Sequence, residues 1–176
     1  MSSPDPNRNF VPLNIAVLTV SDTRSLQDDK SGTTLSEHLL AAGHQLAARE
    51  IVIDDIDAIR AIVRRWIADP AVDVVITTGG TGFTGRDSTP EAVLPLLDKE
   101  MPGFGELFRA ISFEEIGTSS LQSRAFAGLS NQTFVFALPG STSACRTAWD
   151  KLLRAQLDVR TRPCSLAGLI PRLGER

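Results

Sequence analysis

Residues 73–92, DVVITTGGTGFTGRDSTPEA, join an apolar β-branched run to a glycine-rich loop and then to a helix start. Val74, Val75 and Ile76 show no polar alternation, so a strand built from them needs cover on both faces. That requirement points to a parallel sheet held between two helical layers. Gly79, Gly80, Gly82 and Gly85 carry no side chains, so the backbone can bend sharply and approach a ligand closely. Ser88-Thr89-Pro90-Glu91 reads as a helix N-terminus: a capping hydroxyl, a proline in the first turn, and an acid at capping-box spacing. Exposed N–H groups beside a helix N-terminus favour an anion. Asp87 in the same loop opposes an anion unless a metal ion lies between them.

The rest of the chain repeats the strand-then-helix pattern. Residues 13–20 (LNIAVLTV) read as a first buried strand, followed by Ser21-Asp22 and a polar loop. A helix carrying Leu35, Leu39 and Leu40 ends at Gly43, a good position for a left-handed cap. Residues 46–53 form a second strand ending at Asp54-Asp55. Ile59, Ile62, Val63, Trp66 and Ile67 then make one apolar stripe, ended by Asp69-Pro70. After the glycine loop, a helix is expected over about residues 89–98, an amphipathic one over 101–117, and a short one over 119–127. Asn131-Gln132 reads as a turn, 133–138 (TFVFAL) as a strand closed by Pro139-Gly140-Ser141, and a last long helix carries Cys145, Ala148, Trp149, Leu152 and Leu153. The expected fold is a single-domain three-layer α/β/α sandwich with a mostly parallel sheet and helices on both faces. Residues 1–12, with three prolines, read as a flexible arm, 13–162 as the domain, and 163–176 as an irregular tail. His38 reads as a surface or edge residue and His44 as a turn residue.

Composition narrows the function. A net charge of −3 gives no global case for nucleic-acid binding. Two cysteines and two histidines, without CxxC or HExxH spacing, argue against a zinc site or a disulfide framework. No secretory leader pattern and no apolar run of membrane-spanning length stands out, so a cytoplasmic protein without membrane partners is expected.

In α/β sheets ligands bind beyond the carboxyl ends of the strands. Ser21-Asp22, Asp54-Asp55, the 77–82 loop and Pro139-Gly140-Ser141 all follow strands, so they should converge. Gly80 to Gly85 spells GxGxxG, but it follows the third strand and the helix signals start only at Ser88, which is not the dinucleotide pattern. Residues 80–87 also approach a P-loop, but Arg86 and Asp87 stand where lysine and hydroxyl belong. Taken singly, Asp87 and Asp22 read as turn acids, Asp54-Asp55 as a capping pair and Ser141 as a helix cap. Together, two carboxylates across a phosphate-accepting loop can hold Mg²⁺.

The ordered set VSDT (20–23), DD (54–55), TTGGTG (77–82), DSTPEA (87–92), PGFGE (102–106) and LPGS (138–141) is similar to the MoaB/Mog family of molybdenum cofactor biosynthesis proteins. Residues 113–125 and 144–164 resemble the MoaB branch in particular, while the DSTPEA loop has the form expected of members that catalyse. The resemblance implies transfer of AMP from Mg-ATP to the terminal phosphate of molybdopterin, with release of pyrophosphate. Its alternative is a molybdopterin-binding protein of the same fold and pathway without catalysis. It implies Asp55 and Asp87 as catalytic and Mg²⁺-holding residues, and Ser21, Asp22, Thr78, Gly79, Gly80, Thr81, Gly82, Glu91, Pro139, Gly140 and Ser141 as substrate-binding. It further implies ATP as co-substrate, molybdopterin as substrate, and a homotrimer or homohexamer.

Overall fold

The computed structural model describes residues 4–175. Six strands form one sheet in the order β2-β1-β3-β6-β5-β4. The strands are β1 (Asn14–Val20), β2 (Gln45–Val52), β3 (Val74–Thr78), β4 (Lys99–Glu100), β5 (Phe126–Ser130) and β6 (Thr133–Leu138). The first three and β6 run parallel, with Ile15 opposite Val74 and Val74 opposite Phe134. β5 returns antiparallel to β6, and β4 pairs antiparallel with β5 at the far edge.

Strand side chains alternate between two apolar layers, as a pleat requires. Ile15, Val17, Val74, Ile76, Phe134 and Phe136 face one side. They pack under α1 (Lys30–Ala41), α4 (Pro102–Ile116) and α5 (Thr142–Ala148). Ala16, Leu18, Val75 and Val135 face the other. There Ile59, Val63, Trp66 and Ile67 of α2 (Ile56–Ala68) cover them, with Ala92 and Val93 of α3 (Thr89–Val93). The three-layer sandwich expected from the unbroken apolar strands is the one observed.

The structure departs from the sequence expectation at several places. The short helix expected over residues 119–127 is a 3₁₀ turn, Gly117–Gln122, and then strand β5. Asn131 and Gln132 both have positive φ, 45° and 69°, the conformation of a two-residue hairpin turn. That turn joins β5 to β6, so the turn was legible while the strand entering it was not. The helix expected to reach residue 98 stops at Val93 and tightens into a 3₁₀ turn at Leu94–Leu96, since Pro95 has no N–H to continue it. The last helix contains a π-helical segment, Trp149–Leu153, before α6 (Arg154–Gln156).

Both chain ends are more ordered than expected. Met1 to Ser3 of the expected arm, and Arg176, lie outside the described residues. From Pro4 onward the arm is strapped down rather than flexible. Pro4 bridges Thr161, and the Asp5 N–H donates to the Arg160 carbonyl at 2.8 Å. The Asp5 carboxylate is buried and ion-paired with Arg162. The tail expected to be irregular holds a 3₁₀ helix, Ala167–Arg172, whose Ala167 and Ile170 pack on the core.

His44 is not an exposed turn residue. It is buried, with Nδ1 accepting the Leu13 N–H at 3.2 Å and its ring against Phe10 and Trp149. Burial holds its pKa below the ordinary value, with Asp158 opposing the shift. The folded state therefore favours neutral His44. Its contribution is complete above the ordinary histidine pKa, about 6.5, and is lost as pH falls from there through the folded value. Thermal melts should show the midpoint falling between about pH 7.5 and 5.5. His44→Gln should flatten that slope; an unchanged slope in the variant would assign the pH dependence to other groups.

Candidate functional site

The carboxyl ends of β1, β2, β3 and β6 converge on a cleft of about 490 Å³. Ser21, Asp22, Thr78, Gly79, Gly80, Thr81, Gly82, Asp87, Pro139, Gly140 and Ser141 all line it. The opposite wall is one that sequence reasoning missed: Ser112 and Glu115 of α4, and Ser119, Ser120 and Ser123 beyond it. Only the serine-rich composition of that stretch could have signalled it.

Glycine lets the strand ends meet. Gly79 has φ +99° and donates its N–H to the Leu138 carbonyl at 3.0 Å. A Cβ on it would collide with the Val20 carbonyl at the end of β1. Gly80, at φ +65°, would drive a Cβ into the Thr89 hydroxyl and to 2.8 Å from Asp54 Oδ2. The Thr89 hydroxyl donates to the Gly79 carbonyl at 2.8 Å, and its N–H to Gly80, so α3 starts directly on the glycine turn. Ser88 does not cap that helix as expected; its hydroxyl and N–H instead donate to Asp54.

Asp22, Asp54 and Asp87 all line the cleft. The Asp22 carboxylate accepts the Asp54 N–H at 2.9 Å and pairs with Arg86 at 2.6 Å. The Arg86 hydrogen bond, then the Asp54 amide, hold its pKa below the usual carboxylate range. Asp87 is half-buried, which raises its pKa. The Thr84 hydroxyl and N–H, the Gly82 amide and the charge of Arg124 outweigh burial, so it too lies below the usual range. Thr84 reaches Asp87 Oδ2 from its hydroxyl at 2.6 Å and its N–H at 2.8 Å. Asp87 is therefore ionised at neutral pH. Asp54 uses Oδ1 for Ser88, while Oδ2 accepts no hydrogen bond among the described residues.

Two expected site residues lie elsewhere. Asp55 is exposed, and its Oδ1 accepts the Ala58 N–H at 2.9 Å as the N-cap of α2. Its neighbour Asp54 is the one that lines the cleft. The two alternate because the chain is extended there: Asp55 has φ −136° and ψ 132°. Glu91 pairs with Arg124 and borders a second cleft of about 500 Å³, beside Pro90, Met101 and Arg109. Thr78 is fully buried, and its hydroxyl is already used, donating to the Pro139 carbonyl at 2.9 Å and lying 3.2 Å from Cys145 Sγ. Burial pushes the Cys145 thiol up to about 11, so it is no nucleophile at neutral pH. Ser141 caps α5, accepting the Ala144 N–H at 3.1 Å.

Asp29 was missed altogether. It is buried behind Thr19 and Ser31, which line the cleft, accepts the Thr19 hydroxyl at 2.7 Å, and caps α1 by accepting the Gly32 N–H at 2.9 Å. Arg49 of β2 pairs with it at 3.1 Å. Its signal was an acid three residues before the first buried glycine of a helix, the ordinary cap spacing.

Residues 16–159 match the family model described as "Probable molybdopterin binding domain". The chain is 56% identical over 156 residues to molybdenum cofactor biosynthesis protein B of Escherichia coli (strain K12), covering 89% of this chain and 92% of that protein. A crystal structure of a molybdenum cofactor biosynthesis protein B superposes with a TM-score of 0.86 at 42% identity, covering 96% of this chain and 100% of the other. The Mog protein of Mycobacterium ulcerans superposes with a TM-score of 0.76 at 25% identity, over 91% and 98%. The sheet order is that of a Rossmann-like α/β domain. The chain belongs to the MoaB/Mog family of molybdenum cofactor biosynthesis proteins.

Replacing Asp29 by Ala should remove the α1 cap and leave Arg49 half-buried without its carboxylate, at a cost of roughly 3 kcal/mol. Urea unfolding measures it; a loss under about 1 kcal/mol would reduce Asp29 to an ordinary exposed cap.

Proposed function

We propose that the cleft binds molybdopterin together with Mg-ATP and transfers AMP to the terminal phosphate of molybdopterin, releasing pyrophosphate. Membership of the family places the chain in molybdenum cofactor biosynthesis, and the match to a family described as a probable molybdopterin binding domain supports molybdopterin as the ligand. The observation that carries the finer reading is the meeting of the glycine-loop amides with the carboxylates of Asp54 and Asp87 in one cleft.

The nucleophile is a phosphate oxygen that is already anionic, so no strong base is needed. It forms a bond to the α-phosphorus of ATP, the bond from that phosphorus to the α–β bridging oxygen breaks, and pyrophosphate leaves with the electron pair. The obstacle is repulsion between two polyanions. The amides of Gly80 and Thr81 would hold the pterin phosphate, and Gly140 and Ser141 would border the nucleotide. Holding both reactants in line supplies much of the rate of such a step. Asp54 Oδ2 and the ionised Asp87 offer hard oxygen donors, and Gly80 leaves room beside Asp54. That donor set suits Mg²⁺, which takes one or two carboxylates and completes its shell with water and substrate phosphates. When bound, Mg²⁺ would neutralise ATP phosphates and the charge on the leaving pyrophosphate. Asp54 takes the role expected of Asp55.

Among the described residues no helix is long and apolar enough to cross a membrane. Leu107, Phe113, Ile116 and Leu121 are exposed along α4 and the turn after it, a surface compatible with a homotrimer or homohexamer.

The test incubates protein, molybdopterin, Mg²⁺ and labelled ATP and follows adenylylated pterin. Asp54→Asn and Asp87→Asn should each lower transfer by at least about 100-fold while remaining folded. Asp55→Asn should stay within about threefold of wild type, since asparagine also caps a helix. Molybdopterin binding by a wild type that consumes no ATP would leave a non-catalytic carrier. Loss of transfer in Asp55→Asn but not Asp54→Asn would reverse the assignment of the two acids.

A further inference from the structure

Arg124 lies between the two clefts and is one-quarter exposed. Its contacts are almost all with one segment. The backbone N–H of Arg124 donates to the Thr81 carbonyl at 3.1 Å. Nε donates to the Gly82 carbonyl and Nη2 to the Asp87 carbonyl, each at 2.7 Å. Nη1 pairs with the Glu91 carboxylate. The guanidinium lies 5.3 Å from the centre of the Phe83 ring. One side chain thus grips both ends of the loop that carries Asp87.

The consequence follows from planar peptides. In a trans peptide the C=O and the next N–H point in opposite directions. The Asp87 carbonyl is held by Arg124, and the N–H on the same plane is that of Ser88, which donates to Asp54 Oδ1 at 2.9 Å. The Thr81 carbonyl is held by the Arg124 backbone, and the opposite N–H is that of Gly82, which faces the Asp87 carboxylate. Asp54 and Asp87 are therefore each oriented by an amide whose own carbonyl is tied to residue 124.

We propose that Arg124 is a positioning residue of the transfer site: its side chain holds the Asp87 carbonyl and its backbone N–H the Thr81 carbonyl, setting the peptide planes whose opposite N–H groups orient Asp54 and Asp87. The proposal rests on the adenylyl-transfer reading for its kinetic consequence, but its geometry stands apart from it. Arg124 touches neither reacting group. Glu91 neutralises its charge and braces it, which explains an acid of the DSTPEA segment that does not line the cleft. A lysine keeps the charge but presents a point donor, which cannot span the Gly82 and Asp87 carbonyls while pairing with Glu91.

The test uses the full chain as wild type, Arg124→Met and Arg124→Lys. Steady-state AMP transfer supplies kcat and KM, and amide chemical shifts are read for Ser88 and Gly82, with Gly79 as reference because the Leu138 carbonyl holds it independently. Arg124→Met should lower kcat by roughly 30- to 100-fold. KM for molybdopterin should stay within about threefold, since groups that bind without orienting the acids are untouched. The Ser88 amide should lose its hydrogen-bonded shift, Gly82 should follow to a smaller extent, and Gly79 should stay. Arg124→Lys should recover no more than about a third of the lost rate. Wild-type kcat in folded Arg124→Met, an unmoved Ser88 amide, or full rescue by lysine would each overturn the proposal. If Arg124→Met fails to fold, Arg124→Lys decides by the same readings. If the wild type transfers no AMP, the adenylyl-transfer reading fails, and the Ser88 shift alone decides the role of Arg124.

Discussion

The backbone of β3 can reach its neighbours at the carboxyl edge because two glycines lack side chains there. The missing Cβ of Gly79 is what lets the loop pass the Val20 carbonyl, and the missing Cβ of Gly140 would lie 3.2 Å from Gly79 Cα. β1, β3 and β6 are adjacent in the sheet, so these contacts join three consecutive strand ends. With them in place, Gly79 can donate to Leu138 and Thr89 can close on the turn from the other side. Any side chain at Gly79 would face both a left-handed φ and a carbonyl already in contact, so no adjustment of the side chain could relieve it. The cleft is thus a property of backbone packing first. Its carboxylates are added to an edge that the glycines have already shaped.

A second layer of constraint comes from groups that spend their polarity internally. Thr78, Cys145 and Asp29 lie at or below the cleft, yet each is satisfied by protein partners. A buried polar group left without a partner would be costly, so these bonds fix the floor rather than serve a ligand. The groups left facing the cleft are then few: backbone amides of the turn, serine hydroxyls of the far wall, and carboxylate oxygens of Asp54 and Asp87.

Much of this was legible in the residues, and what was hidden has physical causes. Unbroken apolar strands at 15–20, 74–78 and 133–138 required two covering layers, and both exist. The rule that ligands gather beyond parallel strand ends located the cleft. The choice between Asp54 and Asp55 was not legible, because in an extended segment adjacent residues point apart and only the register against Ser88 and Asp22 decides which turns inward. β5 was hidden because five residues containing a glycine carry little strand signal, and its pairing with β6 is set by an Asn-Gln turn rather than the commoner Asn-Gly. His44 was hidden because its burial comes from Phe10, far away in sequence, folding back over it. Arg124 could be noted only as one of several scattered arginines, since its role depends on carbonyls about forty residues earlier.

The electrostatics of the cleft decide what kind of chemistry it can support. Arg24 is the one basic side chain among the described residues that line it, and it is already donating to the Asp28 carbonyl. Arg86 is committed to Asp22, and Arg124 to Glu91 and the loop. Two polyanions brought together beside the ionised Asp87 would repel one another strongly in a partly water-excluded space, where charges are poorly screened. Amides and hydroxyls offer partial charges, which can orient a phosphate but cannot cancel several full ones. A cleft built this way can bring two phosphate groups into contact only with a cation that arrives alongside them. Under the proposed function the carboxylates would place that cation rather than oppose the anions. On this account the acids and the glycine loop are complementary, and removing either would leave the other facing an uncompensated charge.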